Sequence, residues 1–161
     1  MHLTRLVSFA ATATALTLAV GACASSGGNS GTSGGPVSAA SAAIQWSGSL
    51  QPVGGTGVSG SASLAPGGSN TQSSVNVAIT GSTSGSVHPW HLHRGSCSND
   101  MGIVGSPTSY PTLGIGADGT GRVMIGLPFA IPTSGSYFVS VHHSAENMTR
   151  IACGDLTMGT R

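Results

Sequence analysis

The sequence contains no lysine and few charges of any kind. Charged residues make up 6% of its 161 residues. Beyond the first 22 residues, four basic side chains balance four acidic ones: Arg94, Arg122, Arg150 and Arg161 against Asp100, Asp118, Glu146 and Asp155. Proteins that bind nucleic acids or anionic membranes do so through clustered basic side chains. The composition therefore argues against nucleic acid or anionic lipid as a partner.

The chain also lacks an apolar stretch long enough to span a bilayer. The stretch at residues 6–20 is uncharged, and as a helix it would cover roughly 22 Å of a hydrocarbon core about 30 Å thick. Arg5 precedes it and small residues follow it, which is the layout of a cleavable signal peptide over residues 1–22.

Residues 20–23, Val-Gly-Ala-Cys, resemble the bacterial lipobox. The resemblance implies that Cys23 is lipidated and becomes the first residue of the mature protein. The alternative is an ordinary secretory signal followed by a chance cysteine. We therefore expect an exported protein that a lipid anchors to the cell membrane, with its domain in the periplasm or the extracellular cell envelope.

No part of the chain shows the 3.6-residue period of an amphipathic helix. Residues 23–43 consist mainly of Gly, Ser and Ala and predict a flexible linker. Residues 44–161 alternate short apolar runs with turn residues, which predicts one all-β domain, a Greek-key β-sandwich or flattened barrel of about eight strands. The expected strands are residues 43–50, 57–65, 74–80, 90–94, 113–116, 121–127, 137–142 and 150–156. Asp118-Gly119 is a hairpin-turn signal.

The sequence has only three cysteines. If Cys23 carries lipid, Cys97 and Cys153 remain as one pair, and disulfides persist in exported proteins. We expect a disulfide that closes a loop of about 56 residues. Two free thiols, or a soft metal site that includes them, are the alternatives.

The histidines carry the chemistry of the predicted domain. In a strand over residues 90–94, His91 and His93 point to one face while Trp90 and Leu92 point into the core. Two imidazoles at this spacing can chelate one metal ion. His142 leaves the apolar face at the end of another predicted strand and is available as a third ligand. For each histidine alone, a surface or hydrogen-bonded role is the simpler interpretation.

Three segments, in order, resemble the copper/zinc superoxide dismutase family. Residues 88–97 (HPWHLHRGSC) resemble the copper-binding strand of the bacterial enzymes, residues 139–142 (VSVH) resemble the strand that ends in a copper-binding histidine, and residues 150–154 (RIACG) resemble the segment with the active-site arginine and the second disulfide cysteine. The similarity spans about residues 43–156.

The resemblance implies a role for each matching residue. His91, His93 and His142 would bind one copper ion, Arg150 would attract superoxide, and Cys97 would pair with Cys153. His88 would brace a loop by hydrogen bonds without binding metal. His143 and Met148 are weaker candidates for a further copper ligand.

The sequence also departs from the family. There is no histidine between Cys97 and His142, where the family has its bridging and zinc-binding histidines, so a zinc site is not expected. Only seven residues separate His142 from Arg150, where the family has a long charged loop. The expected function is a lipid-anchored, copper-only superoxide dismutase-like protein. The alternatives are a non-catalytic copper-binding or copper-buffering module and a metal-free structural domain of the same fold.

Overall fold

The computed structural model describes residues 43–160. The predicted signal peptide, Cys23 and most of the predicted linker lie outside the described residues. Strands form nearly all of the regular structure within this range, with one short 3₁₀ turn at Pro107–Ser109. No helix among the described residues is long and apolar enough to cross a membrane.

The described part of the chain forms ten strands. They are β1 (Ile44–Pro52), β2 (Ser59–Pro66), β3 (Ser73–Thr80), β4 (Val87–His88), β5 (Trp90–Ser96), β6 (Asn99–Ile103), β7 (Leu113–Gly114), β8 (Gly121–Leu127), β9 (Tyr137–His142) and β10 (Arg150–Thr160). All eight predicted strands are present, with ends that differ by a few residues. Sequence patterns missed β4, which has two residues, and β6, which is exposed along most of its length and shows no apolar alternation.

Eight strands form one curled antiparallel sheet, a half-barrel, in the order β6-β5-β9-β10-β1-β2-β3-β8. Long connections from β3 towards β5 and from β8 to β9 cross from one side of this sheet to the other. The predicted all-β class with about eight strands is confirmed. The strands of the large sheet differ from the prediction in one respect. Strand β7 pairs with β4 in a separate two-stranded sheet, and β6 takes a place at the edge of the large sheet.

The apolar face of the curled sheet forms the core. In β3, Val75, Val77 and Ile79 are buried while their neighbours are partly exposed, as the alternation of the sequence predicts. The predicted turn at Asp118-Gly119 is also present, and Gly119 adopts a φ of +75°, which glycine tolerates best.

Strands β5 and β9 are buried on both faces. Their core face carries Trp90, Leu92, Val139 and Val141, all at 0% exposure. Their other face carries the three histidines predicted to bind metal and is covered as well. His142 leaves the core face as predicted, but it is only 6% exposed, because the chain around it closes over the strand end.

The predicted disulfide between Cys97 and Cys153 is present. It joins the turn between β5 and β6 to β10, which lies two strands away across β9 in the sheet. The backbone N–H of Cys97 also donates to Asp155 Oδ1 at 2.7 Å. The bridge therefore fixes the outer edge of the sheet beside the histidine-bearing strands.

Candidate metal centre

Strand register brings His91, His93 and His142 together. In the pairing of β5 with β9, His91 lies opposite Ser140, and His142 follows Ser140 by two residues on the same face. One ring nitrogen from each histidine lies within 4.8 Å of the other two. The three residues are 5–8% exposed. This geometry could hold one metal ion.

Each of these imidazoles has one buried nitrogen without a hydrogen-bond partner. These atoms are His91 Nδ1, His93 Nε2 and His142 Nε2. Burial of a polar atom without a partner is unfavourable, and native structures contain few such atoms. Three of them in one cluster fit a site in which each nitrogen donates its lone pair to a shared cation.

The opposite nitrogens of two of these rings are held by acceptors. His93 Nδ1 lies 2.9 Å from Asp100 Oδ1, and His142 Nδ1 lies 2.8 Å from the backbone carbonyl oxygen of Met148. An ionised carboxylate and a carbonyl only accept hydrogen bonds, so each Nδ1 carries the proton and each Nε2 keeps its lone pair. Such outer partners orient metal-binding histidines.

Burial keeps the imidazoles of His91 and His142 in the neutral form that binds metals. It lowers the pKa of His91 to about 4, with further contributions from His142 and His93. Burial also lowers the pKa of His142, against a smaller opposing effect of the hydrogen bond to Met148. Both rings are therefore neutral at pH 7, and metal binding there releases no proton from them.

Aromatic rings cover the cluster. Phe138 stacks on His93 with ring centroids 4.7 Å apart, and Tyr110 contacts the edge of His91 at 5.3 Å. The Tyr110 hydroxyl donates to the carbonyl of Val104, and burial raises the pKa of Tyr110 to about 12. These contacts restrict the rotation of two candidate ligands and limit their access to water.

Arg150 lies beside the cluster, and both of its terminal nitrogens donate to protein acceptors. Its Nη1 donates to the carbonyl of Cys97 at 2.9 Å, its Nη2 donates to Asp100 Oδ2 at 2.5 Å, and its guanidinium lies 5.1 Å from the centre of the Phe138 ring. Burial alone would raise the pKa of Asp100. The Gly102 N–H, His93 and Arg150 together outweigh burial and lower it.

His88 is buried outside the cluster. Its Nδ1 lies 3.0 Å and 2.9 Å from the carbonyl oxygens of His142 and His143, and its Nε2 lies 2.7 Å from Ser82 Oγ. These contacts tie the end of β9 to the β3–β4 connection, as expected of a bracing residue. A cleft of about 450 Å³ opens beside His88 and His143 and is lined by none of the three clustered histidines.

His143, the first of the two weaker candidates for a further ligand, is not part of the cluster. The side chain of His143 is exposed, and the three-histidine group does not include it. Met148, the second candidate, is 47% exposed, and its backbone carbonyl oxygen accepts a hydrogen bond from His142 Nδ1.

Sequence patterns missed three residues around the site and the backbone role of a fourth, Met148. Asp100 lies in β6, a strand without apolar alternation, and Met148 acts through its backbone, which no side-chain pattern reveals. Phe138 and Tyr110 lie in no sequence pattern that indicated a contact with the histidines. No protein-family model matches the chain, and no curated protein was found to match it. The site is therefore defined by its own residues and geometry.

Proposed function

We propose that this protein binds one copper ion through His91, His93 and His142 and serves as a superoxide dismutase-like copper protein of the cell envelope, lipid-anchored through Cys23. Two observations carry the proposal: one ring nitrogen of each histidine lies within 4.8 Å of the other two, and each ring has one buried nitrogen without a hydrogen-bond partner. Three imidazoles form a donor set that suits copper, zinc, nickel and iron.

Two arguments favour copper among these metals. The Irving–Williams order places Cu²⁺ above the other divalent first-row metals for a given nitrogen site. Two of the three sequence segments that resemble the dismutase family supply these three histidines. Zinc bound by three histidines and a water molecule is the main competitor on chemical grounds.

Metal titration of the purified protein tests the proposal. We expect about one copper per chain, and preferential retention of copper after equilibration with both copper and zinc. Each of His91→Ala, His93→Ala and His142→Ala should weaken copper binding by roughly tenfold or more, because a two-imidazole site remains and even the loss of an outer partner costs about 10- to 100-fold. Competition with a chelator of known affinity measures the change.

His143→Ala is the matched control, because His143 adjoins His142 in sequence but lies outside the cluster. It should bind copper like the wild type. Copper binding that survives all three ligand substitutions, or preferential retention of zinc, would contradict the copper assignment.

Superoxide dismutation is a second candidate function, and the position of Arg150 favours it. Its backbone pairs with that of His142, so a guanidinium stands next to the proposed metal ligands. A bound copper ion would supply one-electron chemistry that converts superoxide to oxygen and hydrogen peroxide. The chain would hold the ion through three imidazoles. The contacts of Arg150 with Asp100 and Cys97 make the Arg150 guanidinium less available to an incoming anion.

Turnover of the copper-loaded protein separates the two candidates. A dismutase should remove superoxide much faster than the same concentration of copper held by a simple histidine chelate. A rate no greater than that of the chelate would leave copper binding or buffering as the function.

A further inference from the structure

We infer that Asp100 and Arg150 form a positioning pair that fixes the ring of His93 for metal binding. This inference rests on the proposed copper site. It gives Arg150 a role other than the anion attraction that the family resemblance implies, and it gives Asp100 a role that no sequence pattern indicated.

The carboxylate of Asp100 accepts three hydrogen bonds. Its Oδ1 accepts from His93 Nδ1 at 2.9 Å and from the Gly102 N–H at 2.8 Å, while its Oδ2 accepts from Arg150 Nη2. Both oxygens are thus held in place. Because an ionised carboxylate cannot donate, His93 must present N–H at Nδ1 and a lone pair at Nε2, the buried atom that faces the cluster.

The guanidinium of Arg150 makes three contacts around His93. Besides Asp100, it contacts the carbonyl of Cys97 and the face of Phe138, which stacks on His93. One planar cation therefore holds both groups that orient the His93 ring, the carboxylate at its edge and the aromatic ring on its face. A lysine offers a point charge and could not reproduce this set of contacts.

Irregular strand pairing brings these groups together. The β5–β6 pairing shifts register between His93 and Gly95, and the β9–β10 pairing shifts register between Arg150 and Ala152. Such irregularities re-aim side chains next to functional sites. Gly95 has a φ of +97°, and an added Cβ there would lie 2.1 Å from the Asn99 carbonyl oxygen, so this backbone path requires glycine.

The pairing also changes the electrostatics of the site. The side chains of Arg150 and Asp100 are 25% and 35% exposed, and their opposite charges cancel at distances beyond the pair. A partly exposed ion pair contributes little stability by itself. Its effect is on geometry, and it leaves Arg150 a weaker attractor of distant anions than an unpaired arginine would be.

Copper affinity tests the pair, with exposed residues of the same type as controls. Asp100→Asn should weaken copper binding by roughly 10- to 100-fold, as loss of an outer partner does. Arg150→Ala should weaken it less, and Arg150→Lys should restore only part of that loss. Asp118→Asn and Arg122→Ala should bind like the wild type, because Asp118 contacts only its own turn and Arg122 contacts Asn76.

The double variant tests whether the two residues act together. Because Arg150 acts on His93 mainly through Asp100, adding Arg150→Ala to Asp100→Asn should weaken copper binding by less than Arg150→Ala does in the wild type. Additive losses would overturn the shared role. The spectrum of bound Cu²⁺ should change in Asp100→Asn and stay unchanged in Asp118→Asn, which separates a shifted ligand from a general loss of stability.

The tautomer of His93 in the metal-free protein provides a test without copper. Nitrogen-15 NMR should show N–H at Nδ1 in the wild type and a mixture of tautomers in Asp100→Asn. An Nε2–H tautomer in the wild type would overturn the inference. Wild-type affinity in Asp100→Asn, alongside weakened binding in His91→Ala, would overturn it while leaving the copper site intact. Absence of copper binding by the wild type would instead defeat the proposed function, and the NMR result would then decide the role of Asp100.

Discussion

His91 has lost much of its hydration in the folded protein, and this makes metal-free stability depend on pH. Its pKa is about 4 in the folded state against 6.5 for an unperturbed histidine. Below pH 6.5 the unfolded chain takes up a proton that the folded chain takes up only near pH 4. The unfolded state therefore binds more protons in this window, and stability falls as the pH drops from 6.5 to 4.

This prediction can be checked by denaturant unfolding of the metal-free protein at several pH values. The free energy of unfolding should decrease from pH 7 to pH 4.5. In His91→Phe the decrease should be smaller. The decrease that remains should come from His142, whose pKa is also lowered. His143→Phe, which replaces an exposed ring outside the cluster, should follow the wild type. Equal pH slopes in wild type and His91→Phe would refute the prediction.

At the scale of structural elements, the disulfide ties the β5–β6 turn to β10. It closes a loop with a sequence separation of 56 residues, which corresponds to about 4 kcal/mol of stabilisation in the chain-entropy model. Cys97→Ser combined with Cys153→Ser should lower the free energy of unfolding by about this amount, measured by denaturant unfolding. Copper affinity should fall as well, because the carbonyl of Cys97 holds Arg150.

Reduction of the wild type under native conditions is the complementary measurement. The reduced wild type and the double serine variant should have the same stability, and reductant should leave the variant unchanged. A variant as stable as the oxidised wild type would mean that the loop is held mainly by other contacts, such as the bond from Cys97 to Asp155.

At the scale of the whole molecule, the lipobox-like segment predicts where the protein resides. Cys23→Ser removes the thiol that would carry lipid, so the variant should leave the membrane fraction that holds the wild type. A single buried acyl chain contributes about 0.8 kcal/mol per CH₂, and the sparse charge of the chain offers little additional attraction to anionic lipid. Cell fractionation followed by detection of the protein measures this. Unchanged membrane association of the variant would rule out the anchor.

The sequence by itself determined eight of the ten strands in the described part of the chain, the pairing of Cys97 with Cys153 and the three clustered histidines. Alternation in β3 and in the Trp90–His93 segment is local information, since side-chain direction along a strand follows from the two-residue period alone. If Cys23 carries lipid, Cys97 and Cys153 are the one pair that remains. The three-histidine group found in the structure consists of the residues that the sequence predicted.

Only the tertiary structure decided what surrounds those histidines. Strand order places β9 between β5 and β10, so His93, Phe138 and Arg150 meet although far apart in the chain. Strand β6 lies exposed at a sheet edge and shows no apolar alternation. No sequence pattern therefore indicated the contact of Asp100 with His93. The backbone carbonyl of Met148 carries no sequence signature at all. Contacts of this kind depend on long-range register and backbone irregularities, which no local pattern encodes.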